Sequence, residues 1–89
     1  MAIGYEIQDD GTSLEIEVNR AKLASEKAYL IVDKEGAKIY IWLGRTAGVR
    51  MRFISAHAAQ NLKTEYGNGY RVWSLDEGEE PSNFLRILG

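Results

Sequence analysis

Two rhythms divide this chain. Up to about residue 43 the apolar positions follow the period of a pleated strand, and beyond Gly44 they follow the period of a helix. "GYEIQ" (4–8) alternates and runs into "DDG", which predicts a short strand and a turn. "LEIEV" (14–18) alternates cleanly, with Leu14, Ile16 and Val18 on one face and Glu15 and Glu17 on the other. That is a half-buried strand with a wet face, as found near a sheet edge. "KAYLIVD" (27–33) is a continuous β-branched and aromatic run, the pattern of a central strand covered on both faces. "KEG" turns the chain and "AKIYIWL" (37–43) returns, predicting an antiparallel hairpin.

Residues 49–65 lack Gly and Pro and are rich in helix formers. "GNG" (67–69) stops that helix and turns the chain. "YRVWSL" (70–75) predicts a last strand, "DEGEEP" a polar loop, and "SNFLRIL" (82–88) a short closing helix, with Pro81 in the loop or the first turn. Both central strands are apolar on two faces, so each face of the sheet needs a cover. The long helix covers one and the short helix the other, an α+β arrangement within a single domain over residues 1–89.

At about 100° per residue, Met51, Ser55, Ala58, Ala59, Leu62 and Tyr66 share one stripe of the long helix. Small residues at 55, 58 and 59 let the helix lie close to a sheet, so this stripe is the core side. The opposite side collects Val49, Arg50, Phe53, Ala56, His57, Gln60 and Asn61, with Ile54 on the border. Two accounts fit the surplus apolar residues there. Phe53 packs beneath a loop or the N-terminal strand, or it anchors the helix in a partner's hydrophobic groove with Val49 and Ile54 beside it.

Composition narrows the function classes. A hydrophobic content of 45% with 27% charged residues is that of a globular fold. The net charge of −2 offers no electrostatic pull on nucleic acid or an anionic membrane. Without cysteine there is neither a disulfide nor a thiolate metal site. The acidic start "MAIGYEIQDD" has no basic n-region or long apolar core, so it reads as no signal peptide, and a cytoplasmic protein is expected. Arg45, Arg50 and Arg52 gather around the helix start, while acids gather in 6–17 and at Asp76, Glu77, Glu79 and Glu80. This is either a mixed soluble surface or a charge-complementary partner site.

Catalytic machinery is not evident. His57 is the only histidine, so no histidine pair for a metal and no triad with spare members can be built. The acidic pairs Asp76–Glu77 and Glu79–Glu80 are adjacent in a loop, which does not set two carboxylates across a cleft. "GNG" lacks a following Lys-Ser/Thr helix start and is no phosphate loop. Tyr5, Tyr29, Tyr40 and Trp42 alternate within strands without the basic neighbours of a base-stacking sheet, so core packing is their expected role. The chain is expected not to be an enzyme, and to need no cofactor.

"LASEKAYLIVDKEGAKIYIWLGRTAG" (23–48), then Ser55, Ala59 and Leu62, then "DEGEEPSNFLRIL" (76–88) together resemble a gelsolin/villin-type domain over about Gly4 to Gly89. The short form is also similar to minimal gelsolin-like proteins of archaea. The resemblance implies a mixed sheet of about five strands between one long helix and one short helix. It also implies actin binding, with the long helix lodged in the hydrophobic cleft at the barbed end of an actin subunit. Val49, Arg50, Phe53, Ile54, His57 and Asn61 are the positions that would face that cleft. Family members often bind calcium through an Asp in a Gly-Asp-Ala-Tyr motif and a Glu near the helix start; here those positions hold Lys27, in Glu26-Lys27-Ala28-Tyr29, and Met51. An ammonium and a thioether supply none of the oxygens calcium needs, so that site is expected to be absent. A second site, shared with actin, uses an acid late in the helix, where Lys63, Thr64 and Glu65 stand. The expected function is capping of barbed ends or sequestration of monomers, with severing requiring dimerisation or another second contact. The alternative is a coat-type or homo-oligomeric structural module that does not bind actin.

Overall fold

The computed structural model describes residues 2–88. Its strands are β1 (Ala2–Ile7), β2 (Ser13–Val18), β3 (Ala28–Asp33), β4 (Lys38–Leu43) and β5 (Arg71–Asp76), with helices α1 (Gly48–Tyr66) and α2 (Ser82–Leu88). One five-stranded sheet runs in the order β2-β1-β3-β4-β5. The β4–β5 pair is parallel and the other three pairs are antiparallel, so the sheet is mixed, as the resemblance implied. A parallel pair needs a crossover, and α1 supplies it.

Strands β3 and β4 occupy the middle and are buried almost throughout. Their alternate residues feed two cores. Leu30, Val32, Ile39, Ile41 and Leu43 join Ile7 beneath Met51, Ala59 and Leu62 of α1. Tyr29, Ile31, Tyr40 and Trp42 join Val18 and Leu75 beneath Phe84 and Leu88 of α2. On this second side Tyr40 meets Phe84 nearly edge to face, with ring centroids 5.1 Å apart, and Tyr29 tilts against Trp42 at 5.7 Å. The expected aromatic packing therefore holds for Tyr29, Tyr40 and Trp42, whereas Tyr5 is only half-buried.

The turns follow from local chemistry. The hairpin between β3 and β4 is closed by Asp33 Oδ1, which accepts the Gly36 N–H at 3.1 Å, and Ala37 takes the left-handed conformation with φ 53°. A short 3-10 turn at Arg20–Lys22, which the apolar pattern did not signal, is capped by Asn19 Oδ1 accepting the Ala21 N–H. Gly44 lies against the backbones of Ser25 and Lys27, where no β-carbon fits, and donates its N–H to the Lys27 carbonyl at 2.9 Å. Helix α1 runs one residue further at each end than the pattern predicts, and α2 matches its predicted bounds.

The acids after β5 are largely spent inside the molecule. Glu77 accepts the Ser25 hydroxyl at 2.8 Å and the Arg45 N–H at 2.8 Å, and Glu80 accepts the Trp42 indole N–H at 2.8 Å and the Gly78 N–H at 3.0 Å. These bonds fasten the loop between β5 and α2 across the end of the sheet. The Arg45 N–H, then the Ser25 hydroxyl, hold the Glu77 carboxyl below its usual range. Burial pushes Glu80 upward, but the indole and backbone N–H donors together outweigh it and leave that carboxyl lowered as well.

Two outcomes follow. Ala59→Leu, which forces extra methylenes between α1 and the sheet where Ala59 is fully buried, should lower unfolding stability by about 1–3 kcal/mol in urea titrations followed by circular dichroism. Because Glu77 and Glu80 are lowered in the fold, their contribution is complete above the ordinary carboxylate value of 4.5 and is lost as pH falls below it. Melting temperature should therefore drop on acidification from pH 5 toward pH 3, and Glu80→Gln should remove part of that slope.

Candidate functional site

Helix α1 begins at Gly48, whose φ of 87° is unfavourable for a residue with a β-carbon although a β-carbon there would touch nothing. Conformation alone calls for glycine at the bend that swings the chain out of β4 and over the sheet. Met51, Ser55, Ala59 and Leu62 then take the buried stripe, with the Ser55 hydroxyl donating to the Arg52 carbonyl at 3.2 Å. Gly67 ends the helix by donating its N–H to the Lys63 carbonyl at 2.8 Å. Nineteen residues fixed in this way make a rigid rod with one stripe committed to the core.

The opposite stripe is uncovered. Val49 is 68% exposed and Phe53 71% exposed, and no loop or strand of the described residues roofs them. Arg50, Ala56, His57, Gln60 and Asn61 are exposed around them, while Ile54 is half-buried at the border and packs against the core below α1. The structure thus lines Val49, Arg50, Phe53, His57 and Asn61 along one open ridge, with Ile54 at its foot.

The arginines around the ridge already have internal partners. Arg50 donates to the Asp9 carbonyl at 3.1 Å, tying α1 to the β1–β2 turn, and Arg52 pairs with Asp76 at 3.4 Å. Neither account of this charge foresaw that Arg52 and Glu77 would bond within the molecule, Arg52 to Asp76 and Glu77 to Ser25 and the Arg45 N–H. Arg50 spends its guanidinium on a neutral carbonyl and keeps its charge at the ridge.

Beside the second half of the ridge lies an open cleft of about 420 Å³, bounded by Tyr5, Glu15, His57, Asn61, Leu62 and Glu65, among others. Burial, then the neighbouring Tyr66 hydroxyl and the charges of Glu15 and Glu65, push the Tyr5 phenol up to about 12. It stays protonated across ordinary pH and offers no base. The pattern had placed Tyr5 in the core; its exposed edge depends on how far the β1–β2 hairpin stands from α1, which no local spacing encodes.

The two side chains at the calcium positions of the resemblance do not fit the ion. Lys27 directs its ammonium to Glu6 at 3.2 Å, and Met51 is buried in the core. Neither offers an oxygen, and a fixed positive charge opposes a second one. Among the described residues, no three His, Cys, Asp or Glu side chains converge as metal ligands. Every buried side-chain polar atom among them has a hydrogen-bond partner, and no helix is long and apolar enough to cross a membrane.

No protein-family model and no curated protein matches the sequence. Solved structures do. Thorarchaeota ProGel, in its crystal structure with rabbit actin, is 29% identical, with the match covering 100% of both chains at a TM-score of 0.93. Thorarchaeota 2DGel3, also crystallised with rabbit actin, is 21% identical at a TM-score of 0.79, and this chain spans 45% of its length. The fold is the gelsolin-like one: a five-stranded mixed sheet with one long and one short helix.

An uncovered side chain is dispensable for folding. Phe53→Asp should shift unfolding stability by no more than about 0.5 kcal/mol in a urea titration, whereas a side chain packed beneath a loop would cost several times that on the same change.

Proposed function

We propose that this chain is an actin-binding module that docks the outer face of α1 in the hydrophobic barbed-end cleft of an actin subunit. The observation that carries this reading is the pairing of an open apolar ridge on a rigid helix with full-length similarity to a chain crystallised with actin. Phe53 is the central anchor, Val49 and Ile54 widen the apolar contact, and Arg50, His57 and Asn61 form the polar rim. Burying a side chain of the size of phenylalanine yields about 1.5–3 kcal/mol, and α1 is already ordered before it docks, so little of that gain is lost to ordering.

One ridge occupies one cleft. The module therefore acts as a single gelsolin-like domain in the cytoplasm, capping barbed ends or sequestering monomers, and it does so without calcium because Lys27 and Met51 cannot ligate it. It performs no catalysis. The competing reading is a structural module whose ridge is an interface within a larger assembly.

Pyrene-actin polymerisation separates the two. The wild-type protein should slow polymer growth equally in calcium and in a calcium chelator. Phe53→Asp should weaken the effect by about thirtyfold in the protein concentration required, equivalent to about 2 kcal/mol. Wild-type protein that leaves polymerisation unchanged at a roughly tenfold molar excess over actin, with Phe53→Asp splitting an oligomer instead, gives the structural module. An effect that appears only with calcium overturns the metal-free part.

A further inference from the structure

We propose that β5 is a homodimerisation edge, on which two copies of this chain pair antiparallel about a two-fold axis at Ser74 and join their sheets into one. Strand β5 ends the sheet, with β4 on one side and no strand of the described residues on the other. The Arg71 N–H donates to the Ala37 carbonyl at 3.0 Å and the Glu77 N–H to the Leu43 carbonyl at 2.9 Å. In a parallel ladder this alternation turns the backbone groups of Val72, Ser74 and Asp76 outward, away from β4. Beside them Trp73 is 49% exposed, with the Lys38 ammonium 5.8 Å from its ring centre. An exposed tryptophan on an unpaired edge is what a strand shielded from pairing avoids.

Charge identifies the occupant as a second copy. Strand β5 starts at Arg71, in register beside Lys38, and ends at Asp76, with Glu77 following. Antiparallel pairing of two copies sets the basic start of each against the acidic end of the other, twice; parallel pairing sets like on like. Arg52 and the Ser25–Arg45 pair take only some of the lone pairs of those carboxylates. The opposite edge, β2, behaves the other way. Leu14 is 55% exposed there, yet Glu15 and Glu17 share one face, so pairing β2 with itself in register opposes acid to acid.

The outward residues also select the register. Centring on Ser74 opposes Ser74 to itself and Val72 to the partner's Asp76, which uses all three outward residues in about six backbone hydrogen bonds. It puts the small serine at the axis, Trp73 beside the partner's Leu75, and Arg71 opposite the partner's Glu77. A slip of one repeat either way loses a pair of these bonds and stacks Trp73 on its copy or Leu75 on its copy. The axis stands perpendicular to the sheet, so both copies present α1 on the same side. The contact lies at the small end of specific interfaces, below about 1,200 Å², which makes the dimer a weak one with a Kd on the order of micromolar or above.

The test needs no actin, so it stands or falls apart from the function proposed above. Sedimentation equilibrium of the wild-type chain from about 10 µM to about 1 mM should fit a monomer–dimer equilibrium. Ser74→Pro removes an outward N–H at an edge position that tolerates proline, and should raise the dimer Kd at least about tenfold with an unchanged melt. The chain has no cysteine, so Ser74→Cys places one thiol at the axis, with opposed α-carbons about 5.5 Å apart, inside the disulfide window. In a glutathione buffer it should form covalent dimer about tenfold faster than Ser13→Cys on β2. A wild-type chain that stays monomeric to 1 mM, species larger than a dimer, or equal cross-linking of the two cysteines overturns the proposal. Should Ser74→Pro unfold, the cysteine pair decides alone.

Discussion

The rest of this structure depends on one constraint: β3 and β4 carry large apolar side chains on both faces, and neither face can be left wet. A chain of 89 residues has little material with which to cover two faces. It assigns the longer helix to one and seven residues of α2 to the other. The short cover works with large side chains: Tyr29, Tyr40 and Trp42 of the sheet and Phe84 of α2 are among the largest fully buried ones. The long cover lies over smaller strand residues, and Ser55 and Ala59, both fully buried, let its backbone come close. Only one stripe of α1 is needed for that. Part of the remaining circumference has no contact with the core, and Val49 and Phe53 stand there.

Much of this was legible in the sequence because the two periods are clean. Continuous apolar runs marked β3 and β4 as central, the Glu15/Glu17 alternation marked β2 as an edge, and the small residues at 55 and 59 marked the sheet-facing stripe of α1. The exposure of Phe53 was not legible. Helical spacing says which residues leave the core, but a neighbouring loop could have covered them, and loop paths are set by contacts far apart in sequence. The same limit hid the tie between Glu77, Ser25 and Arg45, which joins positions up to 52 residues apart, and the indole bond of Trp42 to Glu80. A run of acids in a polar loop reads as solvated surface until the strand ends that receive it are in place. The exposure of Trp73 was not legible for a related reason. The residue belongs to an apolar strand pattern, but β5 has a neighbour on one side alone, so half of its ring stays uncovered.

Electrostatics divides the surface into settled and unsettled regions. Around the end of the sheet, acids and donors satisfy each other, and the lowered carboxyls of Glu77 and Glu80 record that satisfaction. Near the β1–β2 hairpin, Glu6 is lowered first by the Gln8 amide and then by Lys27, whose own value rises in return. These are short-range contacts that steady loops and contribute little as ion pairs, since the Lys27 and Arg52 ends remain largely in solvent. Beside these contacts the surface keeps two uncovered features that are apolar or backbone: the α1 ridge and the β5 edge. Recognition at either, as proposed above, would draw on shape and desolvation, with charge setting orientation.

The two features lie on different parts of the molecule, and this matters for how they combine. The ridge faces away from the sheet, while β5 presents its backbone within the plane of the sheet. Occupying one does not consume the other. A pairing through β5 would keep the α1 helices of both copies on one side, so the product would carry two ridges facing the same way but running in opposite directions, at a fixed spacing. Binding at a second ridge is then intramolecular, and its effective concentration is set by rigid geometry rather than by a flexible linker. A weak edge contact would suffice for this, because two docked ridges would hold the pair together as firmly as the pair holds them. Under the proposed pairing, a domain with one docking ridge would gain a second by extending its sheet.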